Sequence, residues 1–187
     1  MLTKVQIGKN KRNILDLFSN VNRLGVSNLV DFICDGNFFT SPASTRFHSN
    51  YPGGLAEHSY DVYKQFSKRV SDYNLNVPFE SVILTGICHD LCKIGVYFEN
   101  SLKDGNRSES KPYKFQDSFP YGHGEKSVFI LSQYIHPTPQ EALIIRWHMG
   151  NDDPAWKDYQ EDVSKSFPEV VFFQNVDREA SLMRKVG

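Results

Sequence analysis

The chain is poor in cysteine. Three in 187 residues, at Cys34, Cys88 and Cys92, are too sparse and odd in number for a disulfide framework. It has no run near the ~18 consecutive apolar residues of a membrane span. Met1 to Lys11 lacks the apolar core of a secretion signal, so the expected location is the cytoplasm. It also lacks an excess of either charge: 21 Lys and Arg against 22 Asp and Glu leave a net −1. That removes the global basic field needed to hold long nucleic acid. What is present is ordinary for one globular domain, with 40% hydrophobic and 23% charged residues. A chain of this length buries ~70% of its unfolded surface. Cys88 and Cys92, four apart, resemble half of a metal site, but no second thiol pair follows and they read as core thiols.

The punctuation is helical and predicts an all-α bundle. A short helix is expected near Asn13 to Phe18, and a second begins at Ser27 as its N-cap, with Val30, Ile33 and Cys34 on one side. Phe38 to Phe47 is an irregular entry, and Tyr51-Pro52-Gly53-Gly54 is a turn. Leu55 to Val70 then carries Leu55, His58, Val62, Phe66 and Val70 on one stripe, which points His58 inward. Phe79 to Lys93 reads as a buried helix stopped by Gly95. The stretch from Asn100 to Tyr121 is a long polar insertion in which Lys111 to Phe115 alternates as a strand of a small hairpin. Further helices are expected over Gly124 to Tyr134, from Thr138-Pro139-Gln140-Glu141 (a capping box) to Gly150, and after Pro168. Asn151 to Lys165 reads as polar connection. The last helix sets Val170, Phe173, Asp177 and Ala180 on one stripe, and a carboxylate there is costly without a partner. Residues 1–46 form a helical extension packed on a core domain of residues 47–187.

Ligand-type side chains fall on these inward positions: His58, His89, Asp90, His123, His148 and Asp177. The gaps are 31, 33, 25 and 29 residues, each fitting one helix and its return loop. Successive helices of a bundle can therefore deliver one ligand each to a common point. Imidazole and carboxylate together suit Mn, Fe, Ni, Co or Zn. Neighbours on a helix point about 100° apart, so Asp90 beside His89 suits a carboxylate that reaches sideways or bridges two ions. Any one of these histidines, taken singly, reads equally as a core or surface residue. His136, beside Pro137, falls outside the pattern.

The residues at this point resemble the HD-domain metal-dependent phosphohydrolases. The resemblance is carried by Tyr51-Pro52-Gly53-Gly54-Leu55-Ala56-Glu57-His58 and by Thr85-Gly86-Ile87-Cys88-His89-Asp90-Leu91-Cys92-Lys93-Ile94-Gly95. Gly122-His123-Gly124-Glu125-Lys126-Ser127, Arg146-Trp147-His148-Met149-Gly150 and Asp177 support it. It implies a helical bundle in which His58, His89, Asp90 and Asp177 hold one divalent ion. His123 and His148 match members that hold two, Mg included, with Asp90 bridging. Those members are mostly phosphodiesterases and exoribonucleases, working through a metal-bound hydroxide, and Lys93 resembles their phosphate-contacting lysine. The entry Phe47-His48 to Gly54-Leu55 is similar to that of HD-type 3′-to-5′ exoribonucleases, and Phe119 to Ser127 to small stand-alone hydrolases of bacterial and prophage genomes. The Gly-Tyr-Pro signature of cyclic-di-GMP-degrading members is absent.

The resemblance thus implies a phosphodiesterase acting on a nucleotide or short oligonucleotide, with Asp90, Lys93 and His48 catalytic. Arg46, His48, Lys93 and Lys114 are candidate substrate contacts; Arg46 and Lys114 read equally as solvated charges. Lys103, Arg107, Lys111 and Lys114 read as a basic lid over a nucleotide or simply as solvated loop charge, and Trp147 reads as core packing or as a stack for a base. Two alternatives stay open: a one-metal nucleotidase or nucleoside triphosphohydrolase, and a catalytically silent binding module. No membrane partner is expected, and a homodimer is left open.

Overall fold

The structure, a computed structural model, describes residues 1–102 and 106–184. It is all-α with a small hairpin, as the sequence predicts. The helices are α1 Lys4–Phe18, α2 Val26–Asp35, α3 Gly54–Asp72, α4 Phe79–Cys88, α5 His123–Ser132, α6 Pro139–Trp147, α7 Trp156–Ser166 and α8 Glu169–Met183. Strands β1 Tyr97–Glu99 and β2 Tyr113–Phe115 pair antiparallel, with Tyr97 opposite Phe115. Among the described residues, no helix is long and apolar enough to cross a membrane.

Several boundaries differ from expectation for local reasons. Helix α1 starts at Lys4 rather than near Asn13, because a Thr3–Gln6 capping box closes its first turn while only Ile14 and Phe18 are buried. Its early turns therefore carry no apolar period to read. The cap of α2 is Gly25, at φ 87°, so Ser27 lies inside the first turn. Asn151 to Lys165 is not simply connection: it contains most of α7, anchored by Trp156 and Val163 on an otherwise polar helix. The hairpin straddles the start of the insertion, since β1 precedes Asn100. The capping box at Thr138 and Glu141 forms as expected.

Helix α3 lies between two apolar clusters. Leu55 and Ala56 join Ile14, Phe18, Leu29, Ile83 and Ile87 on one side. Val62 and Phe66 join Ile144, Val170, Phe173 and Val176 on the other. Each fully buried side chain of this size contributes roughly 1.5–3 kcal/mol. Together they hold α3 against α4 and α8, and α5 against α6. The contact with α4 depends on Gly86, where a Cβ would lie 2.7 Å from Tyr63 Cα. The contact of α5 with α6 depends on Gly124, where a Cβ would lie 2.1 Å from the Arg146 carbonyl oxygen. Those two approaches bring the histidine-bearing ends of four helices to one place.

Candidate metal centre

Five elements supply the site. His58 comes from the second turn of α3, His123 opens α5, His148 caps the end of α6, and Asp177 sits within α8. The sequence suggests that α4 continues to Lys93, but it ends at Cys88. Asp90 has left helical geometry (φ −108°, ψ 24°) and precedes a 3-10 turn over Leu91–Lys93. This break frees Asp90 from the 100° offset that a continuous helix would impose, so His89 and Asp90 both face the centre.

Asp90 divides the cluster. Its Oδ2 lies 3.4 Å from His89 Nε2 and 3.7 Å from His58 Nε2. Its Oδ1 lies 2.8 Å from His123 Nε2 and 3.6 Å from His148 Nε2. Asp177 Oδ1 completes the first group, at 2.9 Å from His58 Nε2 and 3.6 Å from His89 Nε2. All six sequence-predicted ligands are thus brought together, and His58, His89, Asp90 and His148 are almost fully buried.

The donors fit a divalent ion. Ligand atoms at ~2.0–2.2 Å from a metal stand roughly 3.0–3.5 Å apart at octahedral or tetrahedral angles, close to the spacings here. His89 Nδ1 donates to the Gly86 carbonyl at 3.0 Å, and His148 Nδ1 to that of Ile145 at 2.7 Å. A carbonyl only accepts, so each ring carries its proton on Nδ1 and turns Nε2 inward, the outer contact that metal-binding imidazoles use. His148 Nε2 is buried with no hydrogen-bond partner among the described residues. A buried orphan of this kind costs about 1–3 kcal/mol unless something else satisfies it.

The electrostatics match a site built for cations. Burial opposes ionisation of Asp90 and Asp177, yet Lys93 and His89 hold Asp90, and His58 and His89 hold Asp177, well below the usual carboxylate range. Burial likewise opposes charge on His89, but Asp90 and Asp177 outweigh it and raise the imidazole to about 9. A proton on His89 thus occupies the position of positive charge between the two carboxylates. Lys93 Nζ reaches Asp90 Oδ2 at 2.7 Å, and its pKa rises against the cost of burial. Cys92 joins Asp90 and His123 in a third group of ligand-type atoms. Burial pushes its thiol up to about 12, and Cys88 is raised in the same way, so both are protonated core thiols at neutral pH.

The centre opens into a cavity of about 660 Å³. His48 lines it, its ring 4.9 Å from that of His58 and its Nε2 3.4 Å from Ser181 Oγ. Burial, Lys93 and His58 lower its pKa to about 3, so His48 is neutral at pH 7. Lys93 also lines the cavity, whereas Arg46 and Lys114 do not. Arg46 is exposed and lies over the Phe47 ring; Lys114 is exposed on β2. Of the expected basic lid, Arg107 stacks on Tyr113, Lys111 is exposed, and Lys103 lies outside the described residues. Trp147 is buried against Trp156, so it packs rather than stacks a base.

Sequence reasoning missed the far wall, formed by Asn151, Asp152, Gln174, Asn175, Arg178 and Ser181. The signal was available in α8, since Gln174, Arg178 and Ser181 flank Asp177 at helical spacing. Arg178 is exposed there and makes no ion pair among the described residues. Arg184 ties the wall to α3: its Nε and one terminal amine both reach Asp61 Oδ2, at 2.9 and 2.7 Å, and its other amine reaches Glu57 at 3.2 Å. The Arg184 carbonyl accepts from Ser49 N–H at 3.2 Å, which fixes the segment carrying His48. Comparison with protein-family models, with curated proteins and with solved structures yields no match.

Proposed function

We propose that the chain is a metal-dependent phosphohydrolase of the HD type that cleaves a phosphodiester, with two divalent ions sharing Asp90. The observation that supports this best is the division of the ligand set by the two Asp90 oxygens. Oδ2 faces His58, His89 and Asp177, and Oδ1 faces His123 and His148. Divalent ions held there supply a nucleophile at neutral pH and charge to stabilise both the attacking and leaving oxygens.

The protein's own groups do the rest. Lys93 places a cation beside Asp90 and facing the cavity, where it offsets the charge of a phosphate. His48, being neutral, accepts or relays a hydrogen bond; it holds no proton ready to donate as an imidazolium at pH 7. Arg178 offers a cation at the cavity wall that has no ion pair among the described residues. The substrate is a nucleotide or short oligonucleotide, as the motif resemblance implies.

One observation favours a second reading. His123 is the most open ligand, its side chain one-third exposed. A His123 that touches substrate instead of metal would leave one ion and suit a nucleotidase or triphosphohydrolase.

The two are separated by rates on bis-p-nitrophenyl phosphate and p-nitrophenyl phosphate, with Mn²⁺, with chelator, and in Asp90→Asn. Diester cleavage that needs metal and disappears in Asp90→Asn is the expected result. Cleavage of the monoester alone would transfer the assignment to the one-metal reading. Turnover of neither would overturn the diesterase.

A further inference from the structure

A second cavity of about 280 Å³ adjoins the first on the hairpin side. The two share Lys93 and His123 as a common wall. Their linings differ in kind. Besides those two, the larger is faced by imidazoles, amides, carboxylates, Arg178 and Phe47, whereas the smaller is faced by Tyr97, Phe115 and Pro120 together with Cys92, Asp117 and Lys126. Tyr97 and Phe115 are directly opposed across the hairpin, with ring centroids 5.8 Å apart. At the edge of the small chamber, the buried Lys126 ammonium pairs with Asp117 Oδ1 at 2.5 Å. It places a donor and an acceptor beside the aromatic side of the slot.

We propose that this side chamber binds a planar, hydrogen-bonding ring, of which a nucleobase is the type, belonging to one of the two substituents of the phosphodiester. The inference rests on the proposed phosphohydrolase reading and adds a specificity to it. A phosphate at Lys93 and His123 sits where the two chambers meet, so its two ester arms run in different directions. A monoester has one arm and leaves one chamber without a tenant. The volume is just below the lower end for a whole small-molecule ligand, ~300 Å³, so it takes one ring system, with that ring's sugar near the junction and the second arm in the larger cavity. Aromatic faces hold any base by stacking, and the Lys126–Asp117 pair reads its edge.

The variant that tests this is Phe115→Ala. Phe115 is 56% exposed at the rim of a two-stranded hairpin, so its loss does not empty the core. Circular dichroism and a melting curve confirm the fold. Two probes are titrated by calorimetry into the Mn²⁺-loaded protein: adenosine 5′-monophosphate and ribose 5-phosphate, in which an anomeric hydroxyl stands in place of the base. Phe115→Ala is expected to weaken the first about tenfold and the second less than twofold. In rate assays, KM for the p-nitrophenyl ester of thymidine 5′-monophosphate rises by a similar factor with kcat within twofold. Parallel changes in both phosphates, or no change in either, overturn the chamber, as does a wild-type protein that binds both equally. Base-dependent binding without turnover of any ester would instead overturn the phosphohydrolase reading and leave the chamber standing.

Discussion

His148 shows what the site demands of a single residue. Its Nδ1 is committed to the Ile145 carbonyl, and its Nε2 is buried 3.6 Å from Asp90 Oδ1 without a hydrogen-bond partner among the described residues. A ring held this way is already oriented, so an ion at Oδ1 would find this ligand in place. His123 is the other imidazole on that oxygen, at 2.8 Å. His123→Ala should therefore lower bound Mn²⁺ from two ions per chain to about one, measured by elemental analysis after dialysis. His58→Ala should weaken the other position, where it stands 2.9 Å from Asp177. Unchanged stoichiometry in His123→Ala would remove that residue as a ligand. The six candidate ligand positions were legible in the sequence because each is a costly polar residue on an apolar face or at a helix end. Arg178 and Asn151 were not, because an exposed polar residue on a surface helix or loop costs nothing and leaves no anomaly to read.

At the scale of elements, the site depends on how closely helices approach. Gly86 lets α4 lie against the α3 backbone at Tyr63, and the result is a His58–His89 Nε2 separation of 3.4 Å. Gly86→Ala forces backbone against backbone. It is expected to cost about 1–3 kcal/mol in urea unfolding and to weaken Mn²⁺ binding, while Gly8→Ala on exposed α1, whose nearest atom is 4.0 Å away, should do neither. A second device joins the loop after α1 to α6: the Arg23 fork grips buried Glu141 at 2.6 and 2.9 Å. Burial disfavours the Glu141 carboxylate, yet Arg23 and the Thr138 backbone N–H lower its pKa below 4.5. A depressed carboxylate contributes stability that is full above its unfolded value and fades as pH falls through its folded one. Glu141→Gln should flatten the loss of stability below pH 4.5, and Arg23→Met, which strands the buried charge, should cost about 3 kcal/mol at pH 7. Most helices were legible from apolar period and capping boxes. The exceptions were weakly anchored, as α7 is with Trp156 and Val163 its two buried residues, or decided by tertiary contact, as is the end of α4 at Cys88.

At the scale of the molecule, the ligands come from five elements spread between positions 58 and 177, and they converge only when both apolar clusters have formed. The unfolded chain holds no such site, so a metal held there would bind the folded state alone and stabilise it by mass action. With free Mn²⁺ at ~1,000 times its dissociation constant the gain is about 4 kcal/mol. For a chain of this length that raises the melting temperature by roughly 8–16 °C. The all-helical class and the convergence of the ligands were readable in advance, because helix-length gaps and inward stripes are one-dimensional records of a bundle. The two-chamber shape was not, since Tyr97 and Phe115 lie 18 residues apart and meet only through hairpin register. The decisive comparison is thermal unfolding with Mn²⁺ and with chelator for wild type, Asp90→Asn and Arg178→Ala. Arg178 lines the cavity but is no ligand, so that variant should keep the full shift, whereas Asp90→Asn should lose most of it by removing the carboxylate that both ligand groups share. A wild-type melting temperature indifferent to Mn²⁺ would show that the folded site does not take up the ion. The charged His89 between Asp90 and Asp177 would then be the end state of the site rather than the stand-in for a metal.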